Sequence, residues 1–182
     1  MAEINVIKTK IDGLVIIEPS VFGDHRGYFM ETYNEEEFHK AGLTMRFVQD
    51  NESKSCKGVL RGLHFQTKFS QGKLVRVTRG EVYDVAVDLR NGSPTYGQWV
   101  GVELSGDNHK QFWIPEGFAH GFVALEDNTQ FLYKTTDYYA KDCEDALVWN
   151  DKDLAIEWPI KYDNLVLNQK DEHAREFKSR NR

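Results

Sequence analysis

Apolar and polar residues alternate with a period of two over several short stretches rich in β-branched and aromatic side chains. These are Leu14 to Glu18, Tyr28 to Tyr33, Leu74 to Arg79, Val82 to Asp88, Trp99 to Leu104 and Phe131 to Thr135. Successive side chains of a strand point to opposite faces, so the pattern predicts half-buried strands. Turn signals separate them, including Phe22-Gly23-Asp24, Gly72, Arg79-Gly80, Asn91-Gly92-Ser93-Pro94 and Ser105-Gly106-Asp107-Asn108. One helix is predicted near the front. Asn34 caps it, Glu35, Glu36 and Glu37 fill a first turn whose dipole favours anions, and Gly42 follows the last turn. A second short helix is expected around Asp151 to Ile156, before Trp158-Pro159. The charged stretch from Glu172 to Arg182 is expected to fray.

Many short strands without a long helix predict an all-β fold. A two-sheet jelly roll of the cupin type, with a few short peripheral helices, fits best, and a simpler sandwich remains the alternative. The 182 residues contain no internal repeat and no linker, so residues 1–182 are read as one domain. Lys plus Arg is 23 and Asp plus Glu is 29, a net charge of −6, which leaves no basic footprint for nucleic acid. An anionic ligand must therefore meet a local basic pocket. The longest aliphatic run, Leu14 to Ile17, falls far short of the roughly 18 apolar residues of a membrane span. Charges at Glu3, Lys8, Lys10 and Asp12 interrupt what would have to be the apolar stretch of a secretory signal, so a cytoplasmic location is expected. Cys56 and Cys143 form no C-x-x-C pair and are read as bystanders.

Two histidines stand out. His64 lies with Arg61 in the apolar run Val59-Leu60-Arg61-Gly62-Leu63-His64-Phe65-Gln66. In a regular strand Arg61 and His64 would point to opposite faces, unless Gly62 marks a bulge. Pro115-Glu116-Gly117-Phe118-Ala119-His120 has the P-x-G-x-x-H spacing of the second cupin motif, whose histidine binds a metal. The first motif would then read H-x-H. Here it reads His64-Phe65-Gln66, and an amide is a poor ligand for a transition metal. A three-histidine site cannot be assembled from these positions, which leaves His64 free to act as a base, a role that imidazole suits at neutral pH.

Seven blocks in order carry a resemblance: Val21-Phe22-Gly23-Asp24 with Arg26-Gly27, Phe47-Val48-Gln49-Asp50-Asn51, Arg61 to Gln66, Gln71-Gly72-Lys73-Leu74-Val75-Arg76, Gly97-Gln98-Trp99-Val100-Gly101, Trp113 to Phe122, and Phe131 to Thr136. Together they resemble the dTDP-4-dehydrorhamnose 3,5-epimerases, metal-free cupins, from about Ile7 to Asp171. The resemblance implies epimerisation at C3 and C5 of dTDP-4-dehydro-6-deoxy-D-glucose, giving dTDP-4-dehydro-L-rhamnose, with neither metal nor redox cofactor. It places the base on His64, its carboxylate partner on Asp171, the enolate stabiliser on Lys73 and the proton donor on Tyr133. Phe22, Arg26, Glu31, Gln49, Asp50, Asn51, Arg61, His120, Tyr139, Glu144 and Lys170 fall on positions that hold substrate. Among these, Arg26, Arg61 and Lys170 are candidates for the diphosphate, and Tyr139 for stacking on thymine. His25 and Asn168 depart from the family pattern, and Asp84, an inward carboxylate in its strand, receives no role.

The resemblance also implies a homodimer, consistent with the need to hide sheet edges. Three rivals remain: a mono-epimerase inverting C3 or C5 only, a metal-dependent oxygenase, and a non-catalytic sugar-nucleotide binding module. Gln66 counts against the oxygenase, and the joint presence of His64, Lys73 and Tyr133 counts against the binding module.

Overall fold

The structure, a computed structural model, describes residues 3–177. Within them the chain forms β1 (Ile4–Lys8), β2 (Val15–Pro19), β3 (Val21–Asp24), β4 (Gly27–Met30), α1 (Glu35–Lys40), β5 (Gln49–Ser55) and β6 (Leu60–Gln66). There follow β7 (Lys73–Arg79), β8 (Glu81–Asp88), β9 (Trp99–Ser105), β10 (Gln111–Ile114), β11 (Phe118–Ala124), β12 (Thr129–Thr135), β13 (Glu144–Ala146) and α2 (Gln169–Glu172). A six-stranded sheet runs β1-β2-β10-β7-β12-β5 and a five-stranded sheet β13-β6-β11-β8-β9, with antiparallel pairing throughout. Most neighbours within each sheet are remote in sequence, which is the crossing pattern of a jelly roll rather than of a simple meander. None of the helices is long and apolar enough to cross a membrane.

Apolar side chains collect in three layers, and these explain which strands the alternation reveals. Between the sheets lie Val75, Val77, Val82, Ala86, Leu104, Phe112, Phe122 and Phe131. The outer face of the five-stranded sheet buries Leu63, Phe65, Val85, Val87, Ala119 and Val123 under Leu147, Trp149 and Trp158 of the C-terminal segment. The outer face of the six-stranded sheet buries Val15, Ile17, Leu74 and Trp113 against Phe38 of α1. Strand β11 is therefore covered on both faces and buried at every position, so it carries no period of two.

α1 forms where its signals place it. The Asn34 side chain accepts from the amides of Glu36 and Glu37, and Gly42 follows with φ +81°. Three expectations are corrected. The strand expected to reach Tyr33 stops at Met30, because β3 and β4 form a separate two-stranded hairpin instead of joining a sheet. No helix forms over Asp151 to Ile156. Asp151 Oδ1 caps the amides of Asp153 and Leu154, but Ala155 takes φ +47° after a single turn, and Asp151 Oδ2 is engaged by the amide of Phe177. The segment from Glu172 does not fray as far as Phe177. Arg175 bridges to Leu147 and pairs with Asp145, and the Phe177 ring lies against Tyr96. The remainder of that stretch lies outside the described residues.

Gly62 resolves the question of the two side chains on β6. His64 pairs with His120 of β11 and Arg61 with Phe122, so three steps on β6 match two on β11. This is a bulge, and it sets Arg61 and His64 on the same side of the strand. Gly62 has φ +120°, and a Cβ there would stand 2.5 Å from the Cα of Gly121 and 2.6 Å from the His120 carbonyl oxygen. Only glycine allows two backbones to cross this closely.

Candidate active site

The interior is apolar at one level and polar at the next. Strand β5, Gln49–Ser55, has no apolar residue, yet it alternates in burial and presents Gln49 and Asn51 beside Thr135 and Tyr133 of β12. Across the barrel, β6 contributes Arg61 and His64, β8 Asp84, β11 His120 and β13 Glu144. Lys73 opens β7 opposite Thr135. Two packed sheets thus converge a base-type side chain, a phenol, an ammonium and several carboxylates on one space.

His64 Nε2 lies 2.5 Å from Asp171 Oδ1, although the two residues are 107 positions apart. Asp171 is fully buried while the His64 side chain is 30% exposed, so the pair is anchored at its carboxylate end and open at its imidazole end. One turn of helix puts it there. The Asn168 side chain accepts from the Asp171 amide at 2.7 Å and caps α2, so Asn168 supplies the short polar cap that this turn needs. A carboxylate on one ring nitrogen fixes the tautomer and leaves the other edge to exchange protons.

Tyr133 packs against the inner core beside Phe131, with ring centroids 6.1 Å apart. Burial pushes its phenol up, the Glu144 carboxylate adds to this, and the Arg61 guanidinium opposes it. Burial among the barrel walls brings Lys73 down to about 8, against the pull of Asp84 and Glu144. Its ammonium is thus a charge with little solvent to screen it, suited to stabilising a nearby oxyanion. His120 Nε2 meets both oxygens of Asp84, at 2.9 and 3.1 Å.

The rim is a second network. Tyr139, half-exposed, donates its hydroxyl to Glu144 Oε2 at 2.8 Å, and Lys170 of α2 pairs with the same oxygen. Burial pushes Glu144 up, but the bonds from Lys170 and Tyr139 outweigh it and hold the carboxyl below its ordinary value. The Tyr139 amide donates to Gln49 Oε1 at 3.2 Å, and Gln49 Nε2 donates to Asn51 Oδ1 at 2.9 Å. Arg61 Nε donates to Ser55 Oγ at 3.3 Å.

A cupin metal does not fit these residues. Gln66 Nε2 donates to the carbonyls of Phe69 and Tyr138, and its Oε1 accepts from the Ala140 amide, so both ends of the amide tie down loops. Both histidines already commit Nε2 to a carboxylate. Among the described residues no group of three or more His, Cys, Asp or Glu is placed to hold a metal ion.

The structure gathers His64, Asp171, Tyr133, Lys73, Gln49, Asn51, Arg61, His120, Tyr139, Glu144 and Lys170 around the barrel mouth and interior. Four other positions singled out in the sequence lie apart. Alternation along β5 turns Asp50 away from Gln49 and Asn51 to the outer face, where it pairs with Lys134 at 2.9 Å. Phe22 and Arg26 are exposed on the β3–β4 hairpin, Arg26 in an ion pair with Asp24. Glu31 follows that hairpin and accepts from Asn34 at 3.2 Å. Asp84, which had no role assigned, is fully buried and bonded to His120 of the same group. A lone charged residue in the stretch Val82 to Val87 was its only signal.

A family model described as dTDP-4-dehydrorhamnose 3,5-epimerase matches residues 8–179. A dTDP-4-dehydrorhamnose 3,5-epimerase of Methanothermobacter thermautotrophicus is 57% identical over 172 residues, covering 94% of this chain and 93% of the relative. Among solved structures, a dTDP-6-deoxy-D-glucose-3,5-epimerase of Legionella pneumophila in complex with dTDP-4-keto-L-rhamnose superposes with a TM-score of 0.93. It is 53% identical and covers 97% of this chain and 94% of its own. A 3'-monoepimerase of Streptomyces bikiniensis in complex with dTDP-quinovose is also similar. Its TM-score is 0.88 at 32% identity, covering 95% of this chain and 88% of its own.

Proposed function

The chain belongs to the dTDP-4-dehydrorhamnose 3,5-epimerase family, whose members are isomerases, and on that premise we propose that it inverts both C3 and C5 of dTDP-4-dehydro-6-deoxy-D-glucose. The C4 ketone acidifies the hydrogens on its two neighbours, so the substrate carries its own electron sink. His64 removes the proton from C3 or C5, and Asp171 holds the imidazolium that forms. The electron pair moves to the C4 oxygen, where the Lys73 ammonium meets it. Tyr133, on the opposing sheet, returns a proton to the other face of the carbon and is re-protonated from solvent, while His64 releases the proton it took to solvent, before the next inversion. Base and acid on opposite walls are what inversion requires, and a single wall would return the proton where it came from.

The observation that carries this reading is the His64–Asp171 pair, fixed at 2.5 Å, sharing a barrel with a buried Tyr133 on the facing sheet. Arg61 and Lys170 are cations for the diphosphate, and half-exposed Tyr139 offers a face to thymine. Gln49, Asn51, His120 and Glu144 hold sugar hydroxyls. Phe22 and Arg26 fit a site completed by a second copy, and Val21, Phe22, Tyr28 and Phe29 are exposed on the same hairpin. A homodimer, working as one domain per chain in the cytoplasm, follows as part of the proposal.

The test is proton NMR of the substrate in deuterium oxide. Loss of both the C3 and C5 signals, abolished by His64→Ala, is expected. Loss at one carbon alone would replace the reading with a mono-epimerase, the activity of the similar Streptomyces bikiniensis protein. Loss at neither, with ligand bound, would leave a binding module.

A further inference from the structure

Asp84 is fully buried in β8, between Val82 and Ala86 on the same face of its strand and opposite Phe122 of β11, all three part of the inner core. Packing alone gives no reason for a carboxylate there. Removing one from water is costly unless partners compensate, and an apolar side chain would fill the space without that cost. It sits diagonally from His120 across the β8–β11 ladder, since Ala86 pairs with His120 and Asp84 with Phe122. From there both carboxylate oxygens reach His120 Nε2. His120 is in turn the ladder partner of His64. Two imidazole–carboxylate pairs therefore lie side by side, one open toward the sugar and one walled in, with only 9% of the His120 side chain exposed.

We infer that Asp84 is a positioning residue of this reaction: it fixes the His120 ring by its Nε2 edge and sets a buried carboxylate in the inter-sheet space that the Lys73 ammonium also enters. The inference rests on the epimerase reading. A carboxylate only accepts hydrogen bonds, so Nε2 must carry the ring proton and Nδ1 is left as a bare acceptor in the neutral ring. Burial pushes His120 down, with Lys73 and His64 adding to this and Asp84 opposing it, which favours that neutral tautomer. Around Lys73, the charged and titratable groups are Asp84 on β8, Glu144 on β13 and His120 on β11, while its neighbour on β12 is the neutral Thr135. Glu144 is already engaged by Lys170 and Tyr139. Burial pushes the Asp84 carboxyl up, and His120 first and Lys73 after it oppose that push, so these two groups favour its charged form.

Asp84→Asn tests this by the pH profile of kcat/KM for solvent exchange at C3 and C5. The variant keeps the shape and an acceptor oxygen but removes the charge, so the Lys73 ammonium is lost at lower pH and the alkaline limb moves toward acid. A move of one unit makes the variant's loss about sixfold greater at pH 8.5 than at pH 6.5. A loss equal at all pH values, in a variant that melts normally and binds dTDP, overturns the inference. Where the variant is too slow or too unstable to profile, nitrogen NMR of the wild-type His120 ring decides. A protonated Nε2 with a bare Nδ1 between pH 6 and 8 supports the role, and the reverse tautomer removes it. A wild-type protein that exchanges neither carbon brings down the epimerase reading and this inference together. Wild-type exchange with an unmoved limb removes the Asp84 role alone.

Discussion

Replacing Asp171 by Asn separates the chemistry of the His64 pair from its contribution to the fold. The carboxylate is fully buried, and only Oδ1 has a partner, His64 Nε2 at 2.5 Å, while Oδ2 is buried without one. When His64 takes a proton, its new positive charge stands against the carboxylate. With charge centres about 4 Å apart and an effective dielectric of about 20, the attraction is about 4 kcal/mol, of which an amide dipole retains a fraction. Exchange at both C3 and C5 should therefore slow by roughly two to three orders of magnitude. Stability should move the other way or not at all, because an unpartnered buried carboxylate oxygen costs more than the amide that replaces it. Deuterium exchange by NMR and urea denaturation on one preparation would measure both quantities, and dTDP calorimetry would show that the variant still binds. A folded variant that still exchanges both carbons within tenfold of wild type would refute Asp171 as the partner of the base.

Three further outcomes are expected. Tyr133→Phe should keep solvent exchange while reducing inverted product by about 10²–10⁴-fold, and NMR that follows exchange and product together would expose an equal loss of both, contrary to a donor role. Lys73→Met should abolish activity yet raise stability at pH 7 by about 3 kcal/mol, because a lysine held at about 8 in the fold, against its ordinary 10.5, disfavours folding while it is charged. The sign follows from proton counts: between about 8 and 10.5 the unfolded chain binds more protons, so wild-type stability rises with pH across that window and the Met variant's does not. Gly62→Ala should cost about 2–5 kcal/mol in a urea melt, from a left-handed φ and two backbone clashes, and a stability within 1 kcal/mol of wild type would contradict the close crossing.

The all-β class is written in strands such as β9 and β12, where one face is more deeply buried than the other, so the period of two survives in the sequence. It vanishes where both faces are covered, as in β11, and where the inward face is polar for binding, as in β5. The helix expected at Asp151 failed because a capping residue starts a turn without obliging the chain to continue it. The site was readable from ordered motifs, but its geometry was not. Whether Arg61 and His64 share a face turns on a bulge that only the His120 and Phe122 pairings reveal. Asp50 sits between two inward residues, and simple alternation places it on the opposite face of β5. Asp84 was visible as an oddity, yet the ring it bonds, His120, stands on a strand 36 positions downstream.

The groups proposed for proton transfer and for holding the enolate stand chiefly on ladder strands, while Tyr139, Lys170 and the outer hairpin belong to turns and a single helical turn. Selection acting on this chain therefore meets two substrates for change with different tolerances. A new base or sugar nucleotide can be explored at the rim by exchanging loop residues that answer to few neighbours. The handedness of the product is written into the walls, where moving one group displaces a ladder. Preference for a ligand should drift readily across descendants of such a barrel, and stereochemical outcome should change in rarer, larger steps.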